Sequence, residues 1–319
     1  MVSSVTRVSP SDRVDVSVQV GALRLRNPII TAGGTFGYGV EFAHLVDLNK
    51  LGGIVTKGIS RDPIEGAPAP RVCETASGML NAVGLQNIGV EDFIKTKLPV
   101  LQNYNTTVIV NVFGYCLEDY VEVIHKLEDV EGISAYELNI SCPNVKQGGM
   151  QFGASPSAVV EVVGAGRKAA AKRPLWVKLM PLVTDIKEIA RAAESAGADA
   201  LTIANTYPAM AIDLKTGRSK IGNPTGGLSG PAIKPITLRL VWEARRAVEI
   251  PILGLGGIET AEDVLEYVAV GASAVQVGTA SFADPRSSER IAGRLEGALR
   301  EVKAFTVSEL RDRYTPEIG

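Results

Sequence analysis

A (β/α)8 barrel of the TIM type is the fold class this sequence predicts, and three observations predict it. Eight short, β-rich apolar runs are spread along the 319 residues. Amphipathic stretches with helical periodicity separate most of them. No linker-like or low-complexity segment divides the chain, so one domain over 1–319 is expected, and barrels of this size are routinely single domains. A doubly wound sheet is the alternative architecture, but its strands more often number about five to seven.

The elements follow in order. The segment "DVSVQVGALRLRN" (15–27) alternates with period two around Gly21 and reads as a hairpin before the first barrel strand, closing the barrel floor. The eight runs are "NPIITAGG" (27–34), "GGIVTKGI" (52–59), "TTVIVNVFG" (106–114), "AYELNIS" (135–141), "PLWVKLMP" (174–181), "ADALTIANT" (198–206), "IPILGLGG" (250–257) and "ASAVQVGTAS" (272–281). Helical patterns cover 155–172, 184–197, 231–248 and 260–271. Ser155, Thr184 and Thr260 stand at their starts as caps, and Gly197 and Gly271 close two of them, where a residue without Cβ turns left-handed cheaply. Two long insertions, 60–90 and 207–230, read as binding loops or lids on the face that carries the strand ends.

Composition narrows the function. The chain has 33 basic and 35 acidic residues, a net charge of −2, against the strongly basic face of a nucleic-acid protein. No apolar run approaches the roughly 20 residues of a membrane helix. The N-terminus lacks the apolar block of a signal peptide, so a cytoplasmic, membrane-free protein is expected. Cys73, Cys116 and Cys142 lie far apart without metal-ligand spacing, which argues against a disulfide framework, a zinc site or an iron–sulfur cluster on this chain. Cys73 and Cys116 take the default reading of small buried hydrophobes. His44 and His125 are the only histidines, and His125 falls in a helical pattern as a solvated residue.

In such barrels chemistry gathers at the C-terminal strand ends. Lys57, Asn111, Asn139, Lys178 and Asn205 all fall there, and burying such side chains costs free energy unless something pairs with them. Five on successive strands favour a polar ligand in the barrel mouth. Strands 7 and 8 run into "GLGGI" (254–258) and "QVGTAS" (276–281), glycine turns that let backbone N–H groups approach a phosphate. Cys142, just beyond strand 4, is followed by Pro143, which fixes the turn, and is flanked by Asn139 and Asn144 with Lys146 beyond. A thiol over a polar pocket can act as base or nucleophile. The residues alone do not reveal the reaction.

Six stretches make the chain recognisable: "NPIITAGGTFGYG", "PRVCETASGMLNAVGLQNIG", "ELNISCPNVKQGG", "TGGLSGPAIKP", "GLGGI" and "ASAVQVGTASFADP". Together they resemble the class 1 dihydroorotate dehydrogenases, and "CPNVKQGG" is most similar to the 1B catalytic subunit. The resemblance implies an FMN-dependent oxidoreductase of de novo pyrimidine (UMP) biosynthesis that converts (S)-dihydroorotate to orotate. On that pattern Cys142 is the general base for the C5 proton while hydride passes from C6 to FMN N5. The flavin contacts would be Gly33, Lys57, Gly58, Asn111, Asn139, Lys178, Ala204 and Gly230, with the phosphate at Gly256, Gly257, Gly278 and Thr279. The substrate would be held by Lys57, Asn81, Ala82, Val83, Gly84, Leu85, Asn139, Asn144, Asn205 and Thr206. The 1B resemblance also implies a homodimer core in a heterotetramer, with a partner subunit carrying FAD and a [2Fe–2S] cluster that passes electrons to NAD⁺. Gly33 departs from the Ser common at its position, and Tyr207-Pro208 from a more aliphatic segment.

Competing readings are a flavin oxidoreductase acting on uracil-type rings, a Schiff-base aldolase with Lys178 as nucleophile, and a non-catalytic barrel. Lys57 and Asn144 favour a carboxylate-bearing ring over the first. Fumarate as direct acceptor, the 1A habit, is the alternative to NAD⁺.

Overall fold

The computed structural model describes residues 14–141 and 152–316. Eight parallel strands close into a barrel in chain order: β1 (Ile29–Thr31), β2 (Gly53–Val55), β3 (Thr107–Val112), β4 (Ala135–Asn139), β5 (Leu175–Lys178), β6 (Ala200–Ile203), β7 (Ile252–Gly254) and β8 (Ala274–Val277). Each coincides with one of the eight expected runs. Parallel strands enclosed on both faces read as near-continuous apolar runs, and all of β1, β2, β4, β5, β6, β7 and β8 is buried.

The outer layer is α1 (Leu117–Glu128), α2 (Pro156–Ala169), α3 (Ile186–Ser195), α4 (Lys234–Arg245), α5 (Ala261–Ala269) and α6 (Ser287–Glu301). A further helical segment covers 89–101, whereas β1 is followed only by single 3-10 turns, Val40–Phe42 and Leu48–Lys50. Ser155 Oγ accepts from Ala158 N (3.4 Å), and Thr260 forms a reciprocal box with Asp263 (3.1 and 2.9 Å). The expected cap Thr184 is displaced by its neighbour: Asp185 Oδ1 takes Lys187 N at 2.8 Å, and an ionised cap at a helix N-terminus is the stronger acceptor. Gly197 and Gly271 are left-handed at φ 99° and 110°, as their closing role requires.

The hairpin pairs Val18–Val20 with Leu23–Leu25 around Gly21 (φ 57°). Val20 and Leu25 are fully buried, Gly21 lies over the Asp199 carbonyl ahead of β6, and Arg26 donates to Asn105 O (2.6 Å) ahead of β3. These contacts put it at the N-terminal end of the barrel, the expected floor. The two insertions are not independent loops. They share a four-stranded antiparallel sheet, Tyr207–Ala209, Gly226–Ser229, Gly78–Asn81 and Val72–Thr75 in spatial order, with Gly227 opposite Asn81.

Cys116 is corrected by the structure: it is exposed, at the N-cap of α1, where the Asp119 carboxylate accepts from Tyr115 N (2.9 Å) and Cys116 N (3.4 Å). Cys73 is half-buried on the Val72–Thr75 strand rather than in the core. His125 is exposed on α1, as expected. Among the described residues no helix is long and apolar enough to cross a membrane.

Candidate active site

Strand register builds the site. Asn111 on β3 stands opposite Glu137 on β4, Asn139 on β4 opposite Lys178 on β5, and Lys178 opposite Thr202 on β6. Residues in register share a face of the sheet, so these side chains collect inside the barrel near its C-terminal rim. Asn111, Glu137, Asn139, Lys178, Thr202 and Gln276 are all buried.

Lys178 is only 4% exposed, and no carboxylate among the described residues comes within 4.0 Å of its Nζ. Burial pushes its ammonium pKa down, and Glu137 partly pulls it back up. A cation buried at this cost is stabilised by negative charge placed or developing beside it. Lys57, two residues past β2, is half-buried, and its ammonium is lowered first by burial and then by Arg71, with Glu41 opposing.

A hydrogen-bonded line of polar side chains crosses the mouth. Asn205 Nδ2 donates to Ser141 Oγ (2.7 Å), which donates to Asn139 Oδ1 (2.7 Å). Asn139 Nδ2 donates to Asn111 Oδ1 (3.5 Å), and Asn111 Nδ2 to Glu137 Oε1 (2.6 Å). Tyr120 from α1 fixes the strand end by donating to Asn139 O (2.9 Å).

The loop 81–85 comes to the same rim through the small sheet. Asn81 Nδ2 donates to Gly227 O (3.0 Å), and Gly227 leaves the space that Thr206 fills, since a Cβ there would sit 2.0 Å from Thr206 Oγ1. Ala82 N donates to Arg71 O (2.7 Å), and Val83 O accepts from Ala67 N (3.0 Å). Gly84 is left-handed (φ 74°) against Ala67, and Leu85 holds φ 59°, a strained value for a residue with a side chain. Buried Asn87 anchors the loop from below, accepting from Ser60 N (3.2 Å) and Gly89 N (2.8 Å).

The glycines of strands 7 and 8 form a cradle with Gly230. Gly257 (φ 64°) faces the Gly230 carbonyl, where a Cβ would come within 2.8 Å, and Gly256 packs on Thr237 with its carbonyl held by Tyr267 OH (2.7 Å). Gly278 lies beside Ala32, Leu255 and Thr35, and Thr279 Oγ1 donates to Ser229 Oγ (2.7 Å). Lys234, at the start of α4, is engaged by Asp263 (2.5 Å) and Glu266 (2.9 Å), so its charge is matched within the chain. Around the rim, Gly33 lies over Thr56 O and Asn111 Nδ2, Gly58 lies beside Asn111 Oδ1, and Ala204 is buried just past β6.

A glycine cradle, a buried cation with no carboxylate partner among the described residues and a rim of amides occur together in one mouth, and that combination fits a flavin mononucleotide beside a small polar ring. The comparisons agree. The sequence profile described as "Dihydroorotate dehydrogenase" matches residues 15–299. The chain belongs to the dihydroorotate dehydrogenase family. Its curated relatives include proteins named dihydroorotate dehydrogenase B (NAD(+)), catalytic subunit: one from Trichlorobacter lovleyi, 53% identical over 92% of this chain and 97% of its own, and one from Geotalea uraniireducens, 53% identical over 93% and 97%. A relative from Solibacter usitatus, provisionally named dihydroorotate dehydrogenase A (fumarate), is 56% identical over 88% of this chain and 92% of its own. The family is in general FMN-dependent.

Of the expected residues, Gly33, Lys57, Gly58, Asn111, Asn139, Lys178, Ala204, Asn205, Thr206, Gly230, Gly256, Gly257, Gly278, Thr279 and the loop 81–85 all lie at the C-terminal end of the barrel. Cys142, Asn144 and Lys146 lie outside the described residues. Sequence reasoning missed Glu137, Ser141, Thr202 and Gln276. The first and last were open to the test applied to Lys178, since each is a polar residue inside an apolar strand.

Proposed function

We propose that this protein oxidises dihydroorotate to orotate in pyrimidine biosynthesis, with FMN in the barrel mouth. The observation that carries the reading is the pairing of Lys178, buried without a carboxylate partner among the described residues, with the glycine cradle of strands 7 and 8. Gly256, Gly257, Gly278 and Thr279 hold the phosphate. Gly33, Gly58, Asn111, Asn139, Ala204 and Gly230 line the ring system, and Lys178 answers the negative charge that reduction builds. FMN, when bound, supplies the hydride acceptor. Lys57 meets the substrate carboxylate, and the amides of Asn81, Asn139, Asn144 and Asn205, with Ala82, Val83, Gly84, Leu85 and Thr206, satisfy the N–H and C=O edges of the ring. Cys142 takes the C5 proton.

The whole chain, 1–319, acts as a single cytoplasmic barrel domain. It forms a homodimer core and hands electrons to a partner subunit with FAD and a [2Fe–2S] cluster, then to NAD⁺, in line with the names of the B-type relatives. The test offers the FMN-loaded protein dihydroorotate or dihydrouracil with an artificial dye as acceptor. Dye reduction with dihydroorotate alone is expected, and reduction with dihydrouracil alone would transfer the assignment to uracil-type rings. Cys142→Ala keeps FMN and slows flavin reduction by about 10²–10⁴-fold, the usual cost of removing a general base, as stopped-flow absorbance would read. Efficient oxidation of the isolated chain by fumarate, the acceptor in the name of the Solibacter relative, would replace NAD⁺.

A further inference from the structure

Glu137 is not itself assigned to flavin or substrate, yet it is fully buried inside the barrel beneath Asn111, which is so assigned. Its two oxygens accept from three strands: Asn111 Nδ2 on Oε1 (2.6 Å), and Thr202 Oγ1 (2.7 Å) and Gln276 Nε2 (2.5 Å) on Oε2. Gln276 Nε2 also donates to Thr202 Oγ1 (3.2 Å), which locks the far side. A carboxylate can only accept, which fixes the Asn111 end of the line, while backbone N–H groups of Ser141 (3.4 Å to Asn139 Oδ1) and Thr206 hold the other amides in the same sense. Asn111 must turn its NH₂ down to Glu137, so its oxygen faces up to Asn139 Nδ2. Asn139 then offers its oxygen to Ser141, and Ser141 offers its remaining lone pair to Asn205 Nδ2. The Asn205 oxygen is left to take Thr206 N (2.8 Å). Five polar groups on three strand ends donate in one direction, and the direction ends at Glu137.

We infer that Glu137 is a positioning residue: it terminates the Asn205–Ser141–Asn139–Asn111 line, holds its donor direction at the Asn111 end in concert with the Ser141 and Thr206 backbone donors, and so helps to set the edge those amides present to the ring. The inference rests on the pyrimidine reading of the site. An amide flipped end for end occupies the same space but puts donor against donor, so shape alone cannot choose the orientation, whereas a fixed acceptor at one end can. Glu137→Gln keeps the volume and removes the constraint, because a glutamine satisfies Asn111 equally well in either sense.

The experiment titrates orotate into the oxidised, FMN-loaded protein and follows the flavin absorbance for wild type, Glu137→Gln, Ser141→Ala and the double variant. Glu137→Gln is expected to retain FMN and to weaken orotate by about fivefold or more, the cost of mismatched buried hydrogen bonds. Ser141→Ala cuts the line one link before Asn205 and weakens orotate as well. The double variant is expected to be no weaker than the worse single one, since direction set at Glu137 no longer reaches Asn205 once the line is cut. Multiplying effects, or wild-type affinity in Glu137→Gln, would overturn the inference. Ser141→Ala leaves Glu137 and its three donors in place and carries the test if Glu137→Gln does not fold; unchanged binding in it overturns the line. Failure of the wild type itself to bind orotate is a failure of the substrate assignment. The same four proteins are then compared by FMN release, where multiplying effects again overturn the inference and a double variant no worse than the worse single one supports it.

Discussion

The floor of this barrel holds a half-buried cation and the mouth a buried one, and they treat it in opposite ways. At the floor, just before β5, Arg173 is 16% exposed and surrounded by acceptors of the chain itself: Glu128 O (2.5 Å), Val130 O (2.5 Å) and Ile133 O (2.9 Å), with the Glu128 carboxylate at 3.5 Å and the Tyr136 ring beneath. Burial there, with the hydrogen bond to Glu128, raises the Tyr136 phenol far above its ordinary pKa. At the mouth, Lys178 is more deeply buried and has no carboxylate within ion-pair distance among the described residues. A guanidinium saturated by carbonyls closes a fold, whereas a buried ammonium without such acceptors is the more natural candidate for chemistry. Two cations at opposite ends of the same sheet thus separate stability from chemistry.

The sharpest way to break that contrast is to exchange the two losses. Arg173→Met should cost about 3–5 kcal/mol of stability, because Glu128 and several carbonyls are left buried without their donor. Thermal or urea unfolding reads this, and flavin reduction per folded molecule should not change. Lys178→Met should do the reverse: unfolding of the apo form shifts by no more than about 1 kcal/mol, since the charge removed was held at a desolvation cost, while flavin reduction slows by about 10²–10³-fold. A large stability loss at Lys178, or a large rate loss at Arg173, would end the distinction.

A smaller effect comes from Lys57, whose ammonium is lowered by burial and by Arg71. Orotate's carboxylate favours the charged form, so the lysine pKa is higher in the complex than in the free protein. Orotate affinity is therefore full below the depressed free pKa and declines as pH rises through it, levelling off above the pKa of the complex. Titrations across alkaline pH check this, and Lys57→Met should flatten the profile. The smallest effect belongs to the floor: Gly21→Ala, at φ 57°, should lower stability by about 1 kcal/mol with no change in orotate binding.

The barrel was legible because eight apolar runs at regular spacing leave little else to build, and Lys57, Lys178 and the asparagines were legible because polar residues at apolar strand ends stand out. The same rule applies to Glu137, which alternates with Asn139 on the inward face of β4, and to Gln276 within "AVQV". Nothing local showed that Glu137 would gather donors from β3, β6 and β8, because those contacts are set by barrel closure. The small sheet was illegible for a related reason. Gly78–Asn81 and Gly226–Ser229 pair across almost 150 residues, and only the missing side chain of Gly227 hints that Thr206 packs there. Cys116 was misplaced because a cysteine's default is burial, whereas the start of α1 puts it in solvent beside Asp119.

Anaerobic titration of the FMN-loaded protein with dihydroorotate tests the central claim most directly. The flavin band should bleach in proportion to added substrate and stop at one equivalent per FMN, with orotate as the product. A protein that holds FMN and stays fully coloured under excess dihydroorotate would contradict the account.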